Sequence, residues 1–130
     1  MMTNTYKHIL VLDDENGHLT ATLKGVVLDK TVVYESSMWS GIQNLEKLHH
    51  KNNFPDLIIL NWEPERQDAE RFLKIYQATF YPRHTTTQVI LISGTPQLLR
   101  CKRAAGYPFL KTIMPRPISS NLLRQALAVA

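Results

Sequence analysis

Three short, continuously apolar runs constrain the fold of this chain more than any other feature of its sequence. They occupy residues 8–12, 56–60 and 88–92. A strand with one face in water alternates apolar and polar residues, whereas a strand covered on both faces is apolar almost throughout. We therefore predict that these runs are central strands of a parallel sheet with helices on both faces.

Two weaker runs, at residues 31–34 and 110–114, bring the number of predicted strands to five. Apolar residues with helical spacing separate the strands, in segments that begin near Asp14 or Asn16, Ser40, Asp68, Thr95 and Ser119. The fourth predicted helix ends at Gly106, and the fifth continues to Ala130. Strands that alternate with helices over short connections predict one α/β domain, a doubly wound parallel sheet over residues 1–130.

Composition excludes several other classes of protein. The chain is 44% hydrophobic and 20% charged, which is not the composition of a disordered tail or a fibre. Its apolar stretches are too short to span a membrane, and no signal segment opens it, so we expect a cytoplasmic protein. The single cysteine, Cys101, forms no internal disulfide. The five histidines suggest no metal cluster, and a net charge of +4 does not imply nucleic acid.

Polar side chains follow four of the predicted strands. Asp13 and Asp14 follow the first, Asn61 ends the third, Ser93 ends the fourth and Arg116 follows the fifth. The carboxyl ends of parallel strands meet at one edge of the sheet, which is where ligands bind on such folds. Two carboxylates beside a hydroxyl and a cation are suited to a hard metal ion and a phosphoryl group.

With these residues the chain resembles the receiver domains of two-component response regulators, including the single-domain chemotaxis regulator. The resemblance rests on the strand and acid pair at residues 9–15, the strand at 55–60, the hydroxyl of Ser93 and the Arg116-Pro117 pair. It implies a flavodoxin-like sheet with strand order 2-1-3-4-5, and a role in two-component signal transduction.

Three positions depart from the pattern of that family. Asn61 stands where the family has the aspartate that accepts the phosphoryl group, and an amide cannot form an acyl phosphate. Arg116 replaces the family's lysine, whose compact ammonium a planar guanidinium does not imitate. Glu63 occupies the position whose backbone carbonyl helps to hold magnesium in the family.

Charge counting predicts that Mg²⁺ binds weakly or not at all, so we expect no cofactor. A standard receiver pocket offers three carboxylates to the metal, whereas Asp13 and Asp14 provide two and Arg116 neutralises one of them. Arg116 can instead bridge directly to the acid pair.

We accordingly expect a degenerate receiver domain that is not an enzyme and that binds proteins without being phosphorylated. The expected partner is a histidine kinase or another signalling protein, with the chain a monomer or a weak homodimer. The resemblance places the docking surface on the fourth and fifth helices, where the predicted outward residues are Leu99, Arg100, Arg103, Leu122 and Gln125.

Three alternatives remain open. The first is a conventional phosphoacceptor regulator, in which the acceptor has been replaced by substitution at position 61 or another carboxylate, Asp13 or Asp14, takes its place. The second is an unrelated enzyme on the same fold, although no glycine-rich phosphate-binding loop follows any strand. The third is DNA binding, for which the receiver-like segment leaves no room for an added helix-turn-helix.

Overall fold

The computed structural model of the chain describes residues 4–13, 22, 31–62, 68–93, 107–115 and 118–129. Its elements, in chain order, are β1 (Asn4–Thr5), β2 (His8–Leu12), β3 (Thr31–Glu35), α1 (Met38–His50), β4 (Leu57–Trp62), α2 (Asp68–Thr79), a 3-10 turn (Tyr81–Arg83), β5 (Gln88–Ser93), β6 (Leu110–Pro115), α3 (Ser120–Leu127) and β7 (Ala128–Val129). None of the helices described in these ranges is long and apolar enough to cross a membrane.

Five of the strands form one sheet in the order β3-β2-β4-β5-β6, and every neighbouring pair in it is parallel. Numbered along the chain, the order of these five strands is 2-1-3-4-5. Parallel neighbours require crossover connections, and α1 and α2 lie within two of them. The predicted flavodoxin-like α/β architecture is therefore confirmed.

The central strands are buried on both faces, which is why their sequences do not alternate. Successive side chains of a strand point to opposite faces, so Leu10 lies in one core and Val11 in the other, and both are fully buried. The core on the side of Leu10 includes apolar residues of α1 and α2, whereas the other core includes Leu123 and Leu127 of α3.

The second, third and fifth predicted helices correspond to α1, α2 and α3. The N-cap of α1 is Ser37, whose Oγ accepts a hydrogen bond from the backbone N–H of Ser40 at 3.1 Å. Beyond the helix Asn52 has a φ of 56°, a left-handed conformation that asparagine tolerates. The first and fourth predicted helices lie outside the described residues, except for Thr22, which is helical.

The last helix is shorter than its apolar spacing predicts. It ends at Leu127, and Ala128–Val129 pairs in antiparallel fashion with Asn4–Thr5 as a separate two-stranded sheet. Lys111 stabilises this end of α3, because its Nζ donates to the carbonyl oxygen of Ala126 at 2.9 Å. The prediction of a helix continuing to Ala130 was therefore wrong for residues 128 and 129, because pairing with β1 satisfies their backbone groups instead.

Two histidines that are far apart in sequence form a pair, a contact that the sequence did not predict. His49 Nδ1 lies 2.8 Å from His84 Nε2. The His84 ring stacks on Phe54, with centroids 3.6 Å apart and planes 4° from parallel. On its other side His49 places Nε2 3.3 Å from Nη1 of Arg83. The pair thus joins the end of α1 to the segment before β5.

The donor and acceptor roles in this pair follow from the arginine. A guanidinium can only donate, so Nε2 of His49 accepts and carries no proton. A neutral His49 then carries its proton on Nδ1 and donates it to Nε2 of His84. Nε2 of His84 is therefore the acceptor of this hydrogen bond, and protonation of His84 breaks it.

We predict that the contribution of His84 to stability is lost in mild acid. Burial, with added repulsion from His49 and Arg83, lowers the pKa of His84. His84 therefore binds a proton more readily in the unfolded chain than in the folded one. Its contribution to stability is complete above the unfolded pKa of about 6.5 and declines as the pH falls below that value. Urea unfolding of the wild type and His84→Gln, in buffer with a metal chelator, should show a stability difference that shrinks on acidification. A difference in the free energy of unfolding that does not change with pH would contradict this prediction. So would a difference between the wild type and His50→Gln that changes with pH to the same extent.

We also predict that Gly41→Ala is destabilising, although alanine favours helices by about 1 kcal/mol over glycine. The added Cβ would overlap Cδ2 of Leu12 and lie 3.3 Å from its Cδ1. Leu12 is buried, so relieving the overlap should cost about 1–3 kcal/mol, for a net loss of roughly 1 kcal/mol. Urea unfolding measures this loss. In a Leu12→Val background, Gly41→Ala should no longer lower the free energy of unfolding. If the two substitutions instead lower it additively, the two residues do not compete for space.

Candidate functional site

Three of the predicted site residues lie together at the carboxyl edge of the parallel sheet. Asp13 follows β2, Asn61 is the next-to-last residue of β4, and Ser93 ends β5. Because β4 pairs with both β2 and β5, Asn61 lies next to Asp13 across the sheet, and Ser93 lies one position further along, opposite Trp62. The carboxyl edge is the side on which ligands bind in open α/β sheets.

Asp13 is buried, with 6% of its surface exposed. Its backbone N–H donates to the carbonyl oxygen of Glu35 at 3.1 Å, which fixes the chain as it leaves β2. Its carboxylate accepts a hydrogen bond from Nδ2 of Asn61 at 3.3 Å. A buried carboxylate requires such donors, because burial without them is costly.

The orientation of Asn61 follows from this contact. A carboxylate only accepts hydrogen bonds, so the nitrogen of the amide, and not its oxygen, faces Asp13. The Oδ1 atom of Asn61 is then buried without a hydrogen-bond partner. Leaving a buried polar atom without a partner costs about 1–3 kcal/mol. Asn61 therefore donates a hydrogen bond to Asp13, while its own side-chain oxygen has no hydrogen-bond partner.

Ser93 is fully buried at the end of β5. In the sheet register it lies opposite Trp62 on one side and Pro115 on the other. Pro115 ends β6, so the described chain reaches this edge one residue before Arg116.

The remaining predicted site residues divide between two groups. Leu122 and Gln125 are exposed on α3. Asp14, Glu63 and Arg116, which complete the predicted pocket, lie outside the described residues, as do three members of the predicted docking surface, Leu99, Arg100 and Arg103.

The hydrogen bond between Asn61 and Asp13 was not part of the sequence-based prediction. The sequence places both residues at one edge of the sheet, but it suggested Arg116 as the group that would balance the acid pair. An amide beside a carboxylate is an alternative partner, and the only sequence signal for it is the position of both residues at the ends of adjacent strands.

The site described here fits a divalent cation only weakly. Carboxylate and amide oxygens are suitable ligands for Mg²⁺, but the group of Asn61 that faces Asp13 is its nitrogen. Within the described ranges, no three or more His, Cys, Asp or Glu side chains are grouped so as to hold a metal ion. Asp13 and Asn61 would hold Mg²⁺ together only after the amide had turned its oxygen toward the ion.

Comparison with known proteins identifies the fold. No family model and no curated protein matches the sequence. Among solved structures, the chain is similar to a two-component response regulator from Cytophaga hutchinsonii, with a TM-score of 0.78, 15% identity and 94% of each chain covered. It is also similar to a response regulator receiver protein from Dyadobacter fermentans, with a TM-score of 0.73, 21% identity and coverage of 93% of this chain and 94% of that one. The chain thus has the fold of response regulator receiver domains.

We predict that Asn61→Asp makes the stability of the chain dependent on magnesium. The substitution replaces the donor to Asp13 with a second carboxylate, so without a divalent ion the free energy of unfolding should fall by about 1–3 kcal/mol. Mg²⁺ should restore it, because it prefers carboxylate oxygens. Urea unfolding with and without magnesium measures both effects.

A matched control is available on the same molecule. Nδ2 of Asn44 donates to Oε2 of Glu35 at 2.7 Å, which is the same kind of contact at another place. Glu35 also lies at the carboxyl edge, next to Asp13, but both Glu35 and Asn44 are partly exposed to water. Asn44→Asp should therefore be destabilising with less recovery in magnesium than Asn61→Asp. Equal recovery in both variants, or none in Asn61→Asp, would mean that Asp13 and position 61 do not form a metal-binding pair.

Proposed function

We propose that this chain is a degenerate receiver domain of a two-component system, one that binds a protein partner without being phosphorylated. The observation that supports this most is Asn61. It lies at the carboxyl end of the third strand of the parallel sheet, beside Asp13, where the resemblance to receiver domains puts the phosphoacceptor.

The chemistry of an amide explains why phosphorylation should not occur there. Acyl phosphate formation needs a carboxylate oxygen with a free lone pair and negative charge, and the Asn61 amide has neither a charge nor a nucleophilic oxygen of this kind. Its nitrogen is also engaged with Asp13. Arg116 in place of the family's lysine would weaken the recognition of a phosphoryl group further.

The alternative acceptor, Asp13, is a poor nucleophile in this arrangement. It is 6% exposed, and its carboxylate already accepts a hydrogen bond from Asn61. Attack on a phosphoryl donor would require the buried carboxylate to become accessible, and the hydrogen bond lowers the nucleophilicity of its Oδ1 atom. A conventional regulator that uses Asp13 is therefore the less favoured reading.

A partner for the proposed module is expected to be an acidic protein surface. No Asp or Glu follows Glu70, so the second half of the chain carries only positive formal charges. Leu122, 39% exposed, offers an apolar contact on α3, and Arg124 and Gln125 beside it are also exposed. Opposite potentials accelerate encounter and discriminate against wrong partners. We propose that the exposed residues of α3, together with Leu99, Arg100 and Arg103, form the surface that docks to a kinase or another signalling protein in the cytoplasm.

We predict that incubation with acetyl phosphate and Mg²⁺ adds no phosphoryl group to the wild type, as measured by intact mass. Asn61→Asp combined with Arg116→Lys should gain one base-labile phosphoryl group, because it restores the acceptor and the lysine of the family. A stoichiometric adduct on the wild type would overturn the proposal, and its loss in Asp13→Asn would then identify the alternative acceptor. Failure of the double variant to react would show that the pocket is not that of a receiver.

A further inference from the structure

The pair of His49 and His84 lies away from the candidate site. His49 is at the end of α1, and His84 precedes β5 by four residues. Phe54, on which His84 stacks, precedes β4 by three residues. The pair therefore lies at the amino edge of the parallel sheet, opposite to the edge that holds Asp13 and Asn61.

A direct hydrogen bond between two imidazole nitrogens is the main feature of this pair. Nδ1 of His49 and Nε2 of His84 are 2.8 Å apart and share one proton. The stacking on Phe54 holds the His84 ring in place, and the His49 ring stands at 89° to it. Both histidines are partly exposed, so solvent and dissolved ions reach them.

We propose that His49 and His84 form a two-histidine site for a divalent transition metal ion such as Zn²⁺. Neutral imidazole is the commonest protein ligand for such ions, whereas Mg²⁺ and Ca²⁺ prefer oxygen. The ion takes the place of the shared proton and completes its coordination with water. This inference does not depend on the proposed receiver function.

The geometry requires the rings to tilt and to separate. The donor N–H and the acceptor lone pair of a hydrogen bond lie nearly on one line, whereas a tetrahedral ion lies off the line between its two ligand nitrogens. Zinc–nitrogen bonds of about 2.0–2.1 Å in a tetrahedral arrangement place two ligand nitrogens about 3.3–3.4 Å apart. The two rings must therefore separate by roughly half an ångström. Neither ring changes its charge, because the proton of His49 moves from Nδ1 to Nε2 through solvent while His84 keeps its proton on Nδ1.

The side chain of Arg83 disfavours metal binding by the histidine pair. It donates to Nε2 of His49 and so holds the proton on Nδ1, the atom that the metal requires. After the proton has moved, the N–H of His49 would face the guanidinium, donor against donor. Arg83 is exposed and can turn away, but at a cost. Removing this side chain should therefore strengthen metal binding.

Isothermal titration of the full chain with Zn²⁺ at neutral pH tests the proposal, with Cys101→Ser in every variant to exclude the thiol. We expect one ion per chain, and an affinity reduced by about tenfold or more in His49→Gln and in His84→Gln. His50→Gln, which removes the neighbouring exposed histidine of α1, should leave the affinity unchanged. An excess of Mg²⁺ should not compete.

The outcome for Arg83→Ala separates a metal site from a purely structural histidine pair. We expect it to bind Zn²⁺ several times more tightly than the wild type, a result that remains informative even where a histidine variant fails to fold. Absence of zinc binding by the wild type would overturn the proposal. So would an affinity that is insensitive to His84→Gln, an equal loss in His50→Gln, or weaker binding in Arg83→Ala.

Discussion

The burial of the three central strands on both faces is the constraint on which the rest of the structure depends. A strand that is apolar on both sides must be covered twice, and α1 and α2 cover one face while α3 packs on the other. The strands must then run parallel, because the helices occupy the crossovers. Polar side chains are displaced to the strand ends, so the buried polar residues of the described structure are Asp13 and Ser93 at one edge and Thr87 at the other. A candidate site at the carboxyl edge follows from this displacement.

Much of the fold could be predicted from sequence because its signals are local. The apolar runs located β2, β4 and β5, and helical spacing located α1, α2 and α3. What could not be predicted depends on contacts between distant residues. The pairing of β7 with β1 joins residues 4–5 to residues 128–129, and the contact of His49 with His84 spans 35 residues. No periodicity in a sequence encodes either.

The candidate site, like the fold, could be predicted from the sequence only in part. The adjacency of Asp13 and Asn61 could be inferred from their places at the ends of neighbouring strands, whereas the direction of the hydrogen bond between them could not. That direction depends on which groups surround the amide in the folded chain. Asparagine has nearly the shape of aspartate but differs in the polarity of one atom and in its charge. The consequence is that the carboxylate of Asp13 accepts a hydrogen bond from a neutral side chain at the carboxyl edge of the sheet.

The short sheet of β1 and β7 has a topological consequence. Asn4 lies opposite Val129 in an antiparallel register, so the two ends of the described chain leave the molecule side by side. A peptide of a few residues would join them without disturbing the parallel sheet, and the chain could then be opened at an exposed loop to give a circularly permuted protein. For the same reason, the domain could be inserted into a surface loop of a host protein, with its entry and exit strands acting as a two-stranded stalk.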